Sequence, residues 1–363
     1  MAAGWHPSSK EPMEIRGAKP SELEEGVSLQ RLVFRPNEDA FERYRTYVRE
    51  DPSYQLDQTR VVIVDGKMVG HLRIWDRLIR VRGAQLRAGG IGSVLIHPDY
   101  RGKGMAHALM KDAESYMSEA GYDVGLLFTI IGTTFYEAQG WTPISLPIFK
   151  FANVTHNRKS SVDTVRKLTF QADLDRIAEV YEASSKELTG PEIRSRDYWL
   201  SGPSRIKGVF PEWGVDRGGE LSGYVNFEVQ ENEIWVKEAC AQAREQDVFF
   251  ALAESVVDAA LEENVQRIAG SLPKGHPLMQ ALGRVLKREP AWDTHDEMML
   301  KLMNWESVKQ KLGGEGAPED PPEDEGSLWC GLFGERTGDA GLGAWIRSLP
   351  ECVGPFYWWT DIF

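Results

Sequence analysis

The chain has 363 residues, room for about two domains of ordinary size. Hydrophobic residues make up 42%, which excludes a wholly disordered or fibrous protein. Acidic residues outnumber basic ones by 55 to 42, and the formal charge of −13 repels phosphate backbones, which excludes nucleic acid as a bulk partner.

Residues 1–12 read as a loose tail without the apolar core of a secretory signal. No apolar run approaches the roughly 20 residues that span a bilayer, so no membrane partner is expected. Met13 to Ala18 reads as a short strand, and Ser21 with Glu24 forms a capping-box pattern that opens a helix toward Arg31. A second helix is expected from Ala40 to Glu50. Val61–Val64, Asp65-Gly66 and the following MVGHLRIW read as a β-hairpin. Gly90 to Ile96 is a short apolar strand. After a turn, Met105, Leu109, Ala113, Met117 and Ala120 fall on one helix face, and Gly121 is a natural stop. VGLLFTI at 124–130 is another buried strand, followed by a short helix from Phe135 to Gln139.

Near residue 165 the plan restarts. TVRKLTF reads as a strand and Asp173 to Glu187 as an amphipathic helix. LSGYVNFEV and EIWVKEACA read as strands, Val248 to Glu263 as a helix, and VQRIAGSLP and EMMLKLMN as strands. Gly313 to Gly326 carries six carboxylates in fourteen residues and reads as a solvated, flexible linker. The last segment holds Trp329, Leu332, Phe333, Trp345, Ile346, Phe356, Tyr357, Trp358 and Trp359, too much apolar surface for a free tail. It is expected to dock on the body. Three cysteines, Cys240, Cys330 and Cys352, form no CxxC pair and show no base partner in sequence. They read as buried apolar side chains in a reduced, cytoplasmic protein. Nothing has metal-ligand spacing, so no metal is expected.

The informative stretch is Val94 to Met110, VLIHPDYRGKGMAHALM. An apolar strand runs through His97 and Pro98 into Arg101-Gly102-Lys103-Gly104 and then a helix. Glycines let the backbone approach a ligand closely, and the first helical N–H groups lack intrahelical partners. Together with the helix dipole they suit a pyrophosphate, with Arg101 and Lys103 adding positive charge. The stretch matches neither the Walker pattern nor the dinucleotide fingerprint. A lone histidine such as His97 reads as a surface residue.

This stretch resembles the coenzyme A pyrophosphate motif of the GNAT N-acetyltransferases, R/Q-x-x-G-x-G/A, with Arg101, Gly104 and Ala106 at the family positions. The resemblance implies that the backbone of Val94, Leu95 and Ile96 pairs with the pantetheine arm and offers an N–H to the thioester oxyanion. It implies that Gly102, Lys103, Gly104, Met105, Ala106 and His107 cradle the pyrophosphate, and that Ile131 and Gly132 also bind the cofactor. Phe135-Tyr136-Glu137-Ala138-Gln139-Gly140-Trp141 resembles the family's F-Y-x-x-x-G-[FYW] helix, which makes Tyr136 the general acid. A phenol with an ordinary pKa near 10 stays protonated at pH 7 and can donate to a departing thiolate.

Asp173-Leu174 through Tyr181, Gly190, Arg194-Ser195 and Tyr198-Trp199 are similar to the second domain of the Eis-like (enhanced intracellular survival) acetyltransferases. Those proteins carry two GNAT-type domains and a sterol-carrier-like domain, and only the first GNAT domain binds acetyl-CoA. The fold expected is α/β with a mixed sheet: two tandem GNAT-type domains plus a short C-terminal segment docked on them. The expected divisions are a tail over 1–12, an acetyl-CoA-binding domain over 13–155 and a degenerate copy over 156–310. An acidic linker over 311–326 and a shortened sterol-carrier-like segment over 327–363 complete the chain. The degenerate copy lacks a glycine between Glu238 and Gln246. The resemblance also implies that the carboxylate of Phe363 returns to the first domain as the base. It implies a homo-oligomer too, although the shortened third segment departs from the family there.

The activity expected is direct acetyl transfer from acetyl-CoA to a primary amine of a cationic small molecule or a lysine side chain. The acidic balance would draw such an acceptor in. The alternative is a non-catalytic acyl-CoA-binding sensor or assembly module.

Overall fold

In the computed structural model residues 13–155, 165–242, 246–334, 337–352, 354 and 356–362 are described. Strand β1 (Met13–Gly17) pairs antiparallel with β2 (Thr59–Val64), which turns into β3 (Lys67–Val81). The turn residues Asp65 and Gly66 have φ of 50° and 76°, the left-handed pair that a two-residue hairpin loop requires. A second such pair, Arg82 and Gly83 at 50° and 81°, turns β3 into β4 (Ala84–Ile96). Both strands are therefore longer than the alternation at 68–75 and 90–96 alone suggests. The charges Arg73, Arg77 and Arg80 interrupt the apolar pattern that would have marked their full extent.

Helix α1 (Leu23–Phe34) and α2 (Phe41–Arg49) cover one face of this sheet, and α3 (Met105–Glu119) covers the other. Leu109, Met110, Ala113 and Met117 of α3 are fully buried against Leu72, Ile74 and Ile91. Helix α3 returns the chain to β5 (Val124–Phe128), parallel to β4, and a short α4 (Thr134–Glu137) leads to β6 (Thr142–Ala152).

The second half repeats the plan with β7 (Val165–Lys167), α5 (Phe170–Ser185), α6 (Arg196–Leu200), α7 (Gly202–Lys207) and β8 (Trp213–Arg217). A meander through β9 (Glu220–Gln230) and β10 (Glu233–Ala241) follows, then α8 (Gln246–Glu262), β11 (Arg267–Ser271), α9 (Pro277–Leu286) and β12 (Ala291–Leu302). All twelve strands form one sheet, ordered β1-β2-β3-β4-β5-β12-β6-β11-β10-β9-β8-β7. The last strands of the two halves have changed places: β12 lies beside β5 and β6 beside β11, with β6 and β12 paired to each other. The sheet thus crosses the division at 155/156. Strand β6 escapes a pattern reading because Pro143 and Pro147 interrupt it, as prolines do in most strands.

Past β12 come α10 (Trp305–Leu312), α11 (Glu325–Leu332) and α12 (Ala340–Ser348). Trp329, Leu332, Phe333 and Trp345 are buried against Ile79, Val81, Leu126 and Leu300, so the segment docks on the body as expected. The acidic stretch is largely exposed but tethered. Gly313 O accepts from Trp345 Nε1 at 2.7 Å, and Glu319 O accepts from Trp305 Nε1 at 3.1 Å. Of the cysteines only Cys240 is buried. Cys330 and Cys352 are partly exposed, because both lie in the thin C-terminal layer rather than between sheet and helix.

Candidate active site

Strand β4 pairs with β5 only from Ala88–Ile91 to Val124–Leu127. Beyond Ile91 a bulge intervenes. Ser93 and Val94 of β4 face the single residue Leu72 of β3, and Ser93 has φ of 54°. Bulges bend a strand and increase its twist, and here the bend coincides with the loss of pairing to β5. His71 holds the bulge. Its Nδ1 donates to Ser93 O at 3.3 Å, while Gln30 Nε2 of α1 lies 3.4 Å from its Nε2. Burial pushes the His71 pKa down to about 4, so the ring is neutral and can accept from Gln30. Leu95 and Ile96 have one edge bonded to β3, and among the described residues no strand pairs with the other edge of Val94, Leu95 and Ile96, a geometry that admits an extended ligand.

The loop after β4 is shaped by two left-handed glycines, Gly102 at φ 77° and Gly104 at φ 76°. An added Cβ at either would meet no atom within 4 Å, so it is the backbone conformation that calls for glycine. Gly104 is the N-cap of α3 and provides no side-chain cap, so the first N–H groups of the helix face the loop. Arg101 Nε donates to Ile96 O at 3.1 Å and ties the loop to the end of β4.

A cavity of 710 Å³ runs from Val94, Leu95 and Ile96 to Arg101, Gly102, Gly104, Met105, Ala106 and His107. Its far wall is Ile131 and Tyr136. Val33, Phe34, Tyr100, Ile130 and Phe135 also line it and were not singled out from the sequence. Ile130 and Ile131 are 90% and 76% exposed, an apolar rim with no protein against it. Two expected residues stand back from the wall. Lys103 Nζ lies over the Tyr100 ring at 5.0 Å, and Gly132 turns the β5–α4 loop, its carbonyl accepting from Thr129 Oγ1 at 3.2 Å. His97 is a capping residue at the surface, its Nδ1 accepting from Asp99 N at 3.3 Å.

Tyr136 is 6% exposed, and burial raises its pKa, so its phenol is a proton donor across the neutral range. Trp141 fixes the turn that carries it, donating from Nε1 to Glu114 of α3 at 2.8 Å.

On the opposite face of β3 lies a group of buried charges that pattern reading missed. Arg73 and Arg77 of β3 pair with Asp51 at 2.5 and 3.1 Å, and Arg77 pairs with Glu192 at 2.8 Å. Arg194 pairs with Glu238 at 2.5 Å and with Asp361 at 2.9 Å, all three side chains having no exposure. Lys207 Nζ lies 4.9 Å from the Trp75 ring. The signal was present: Arg73, Trp75 and Arg77 recur at every second position of an otherwise apolar strand, which puts them on one inward face. Asp361 is the nearest described carboxylate to the end of the chain. Phe363 itself lies outside the described residues, as does the tail over 1–12. Among the described residues no group of three His, Cys, Asp or Glu is placed to hold a metal, and no helix is long and apolar enough to cross a membrane.

The first half thus presents a bulged strand that splits from its parallel neighbour above a glycine loop at a helix start. Residues 14–144 match the model of the acetyltransferase (GNAT) domain. The fold of the whole is shared with the GCN5-related N-acetyltransferase from Kribbella flavida, at 15% identity over 97% of this chain and 99% of that one, TM-score 0.70. It is shared equally with Eis1 from Mycobacterium abscessus, at 16% identity over 97% of this chain and 100% of that one, TM-score 0.68. N-myristoyltransferase from Saccharomyces cerevisiae, solved with myristoyl-CoA, is similar at 14% identity over 79% of this chain and 78% of that one, TM-score 0.51. No curated protein sequence matches the chain.

Proposed function

We propose that the chain transfers acetyl from acetyl-CoA directly to a primary amine. The observation that carries this reading is the single cavity in which the unpaired edge of β4, the Gly102–Gly104 loop and the Tyr136 phenol meet. The pantetheine arm lies along Val94, Leu95 and Ile96, and its pyrophosphate sits against Gly102, Gly104, Met105, Ala106 and His107. Arg101 and Lys103 supply charge there, and Ile131 and Gly132 flank the thiol end. The amine nitrogen attacks the thioester carbon, a C–N bond forms, and a β4 amide N–H holds the oxyanion. The C–S bond then breaks, Tyr136 gives the thiolate its proton, and the nitrogen sheds one to a carboxylate. By resemblance to the Eis-like proteins that carboxylate is the C-terminus at Phe363. Burial of a terminal carboxyl would raise its ordinary pKa of about 3.3–3.7 and strengthen it as a base.

The acceptor is a cationic small molecule or a lysine side chain, for which the net charge of −13 provides long-range attraction. Cys240, Cys330 and Cys352 are not joined in disulfides, in keeping with a cytoplasmic protein. We assign the sites to a homo-oligomer on the same resemblance. The test is release of free thiol from acetyl-CoA across polyamines, aminoglycosides and lysine peptides, with the acetylated amine weighed by mass spectrometry. Thiol release without an acetylated amine, or none with any cationic amine, contradicts the reading.

A further inference from the structure

Among the described residues, three oxygens in the buried charged group have no hydrogen-bond partner: Glu192 Oε2, Tyr198 Oη and Tyr357 Oη. Their residues are only 2%, 4% and 2% exposed. Buried polar atoms are nearly always paired, and leaving one unpaired costs about 1–3 kcal/mol. The three are electrostatic neighbours, Glu192 acting on both phenols and Tyr198 on Tyr357, and orphans grouped in this way point to a ligand rather than an accident of packing.

Their position is fixed by the backbone. The segment carrying Glu192 lies across the far end of β3, with Ile193 N donating to Leu78 O at 2.7 Å and Arg80 N donating to Pro191 O at 3.0 Å. Tyr357 packs at a tilt against Phe128, the last residue of β5, with ring centroids 5.0 Å apart, beside the point where β4 and β5 part. Arg77 lies under the Tyr198 ring at 5.0 Å. A cleft of 260 Å³ reaches this place from solvent, lined by Ser53, Asp76, Arg77, Glu192, Ser195 and Tyr198. It is large enough for an alkyl arm and smaller than the roughly 300–1,000 Å³ that whole drug-sized ligands occupy.

An ammonium group has three N–H donors and no acceptor. We propose that Glu192, Tyr198 and Tyr357 form the seat of the acceptor's amino group, and that the acceptor enters as an aminoalkyl arm through the cleft beside Ser53 and Ser195. This rests on the transferase reading above and deepens it. Glu192 is a recognition residue here, contributed by the second half, while Tyr136 remains the acid.

The charges around the seat agree. Arg77 faces Glu192 from β3, Lys207 from α7 and Asp361 from the C-terminal segment, with Arg194 and Asp51 further out. Burial pushes the Glu192 pKa up to about 7 and the Lys207 pKa down to about 8. Above pH 7 Glu192 is ionised, and above pH 8 Lys207 loses its proton as well, which leaves the cluster receptive to a cation. Below pH 7 Glu192 gains a proton and the seat weakens.

The test is calorimetric titration of n-butylamine and cadaverine into the CoA-saturated full chain, with n-butanol as the uncharged control. The wild type should bind both amines, more weakly at pH 6 than at pH 8, and should not bind the alcohol. E192Q, of the same shape, should bind them at least tenfold more weakly without the pH dependence, with its CoA affinity unchanged. Y198F should weaken binding a few-fold and also guards against a folding defect in E192Q. Equal amine binding by wild type, E192Q and Y198F, or no amine binding by the wild type, overturns the seat. Amine binding without acetyl transfer would instead overturn the transferase reading and leave the seat standing.

Discussion

The two halves share one plan and treat the same joint in opposite ways. In the first, β4 pairs with β5 from Ala88 to Ile91, bulges, and opens into a cavity between the starts of α3 and α4. In the second, β10 pairs with β11 from Glu233 to Val236 and then bulges at Lys237. The space that follows is filled. Phe356 and Trp358 meet edge to face at 4.4 Å; His276, which caps α9, stacks on Phe356 and meets Trp358 edge-on, while Phe249 at the start of α8 meets the same histidine at 5.3 Å. The chain's own C-terminal aromatics thus sit where the repeat would place a second cofactor. The lesson is that the bulged split is architecture, and that the glycine loop and the vacancy beside it are chemistry.

The largest expected effect lies on the filled side. Trp358 has no exposure, and Trp358→Ala should cost about 3–5 kcal/mol of stability in denaturant unfolding, as large-to-small core changes do. Opening the second split this way should create no CoA site, because no glycine follows β10. The C-terminal segment was legible as a docked piece from its aromatic density. Where it docks was not, because such contacts join residues far apart in sequence.

On the open side, Tyr136→Phe removes the proposed proton donor and little else. Acetyl-transfer kcat should fall about a hundredfold or more while CoA affinity holds. A non-catalytic acyl-CoA binder would have no turnover to lose.

His71 gives a pH signature of about 3 kcal/mol, from a pKa near 4 in the folded chain against about 6.5 unfolded. The unfolded chain binds the extra proton first, so this contribution is present above pH 6.5 and is lost as the pH falls toward 4. Glu192, raised by burial, has the opposite slope at its own site, so the readout is the difference between wild type and His71→Gln across that window. A flat difference would mean that His71 does not hold the bulge as a neutral ring.

The smallest effect is the most local. Gly104→Ala should strain the left-handed N-cap and weaken CoA binding about tenfold. The added Cβ meets nothing within 4 Å, so the whole effect comes from the backbone conformation.

The proposed cofactor site was the more legible part of the molecule, because its signals are local. The arginine, the two glycines and the helix face from Met105 to Met117 lie within one stretch of chain. The buried charges were harder to read. Asp51, Arg77, Glu192, Arg194, Glu238 and Asp361 come from separate segments, and only folding brings them together. The exchange of β6 and β12 was hidden for a related reason. Each strand reads as the end of its own half, and nothing in either pattern says that it pairs across.

The direct measurement is the number of CoA molecules taken up per chain, by isothermal titration at low salt. One site per chain, weakened by Gly104→Ala and by rising salt, is the predicted result. Two sites, or none, would contradict the account of one open split and one filled one.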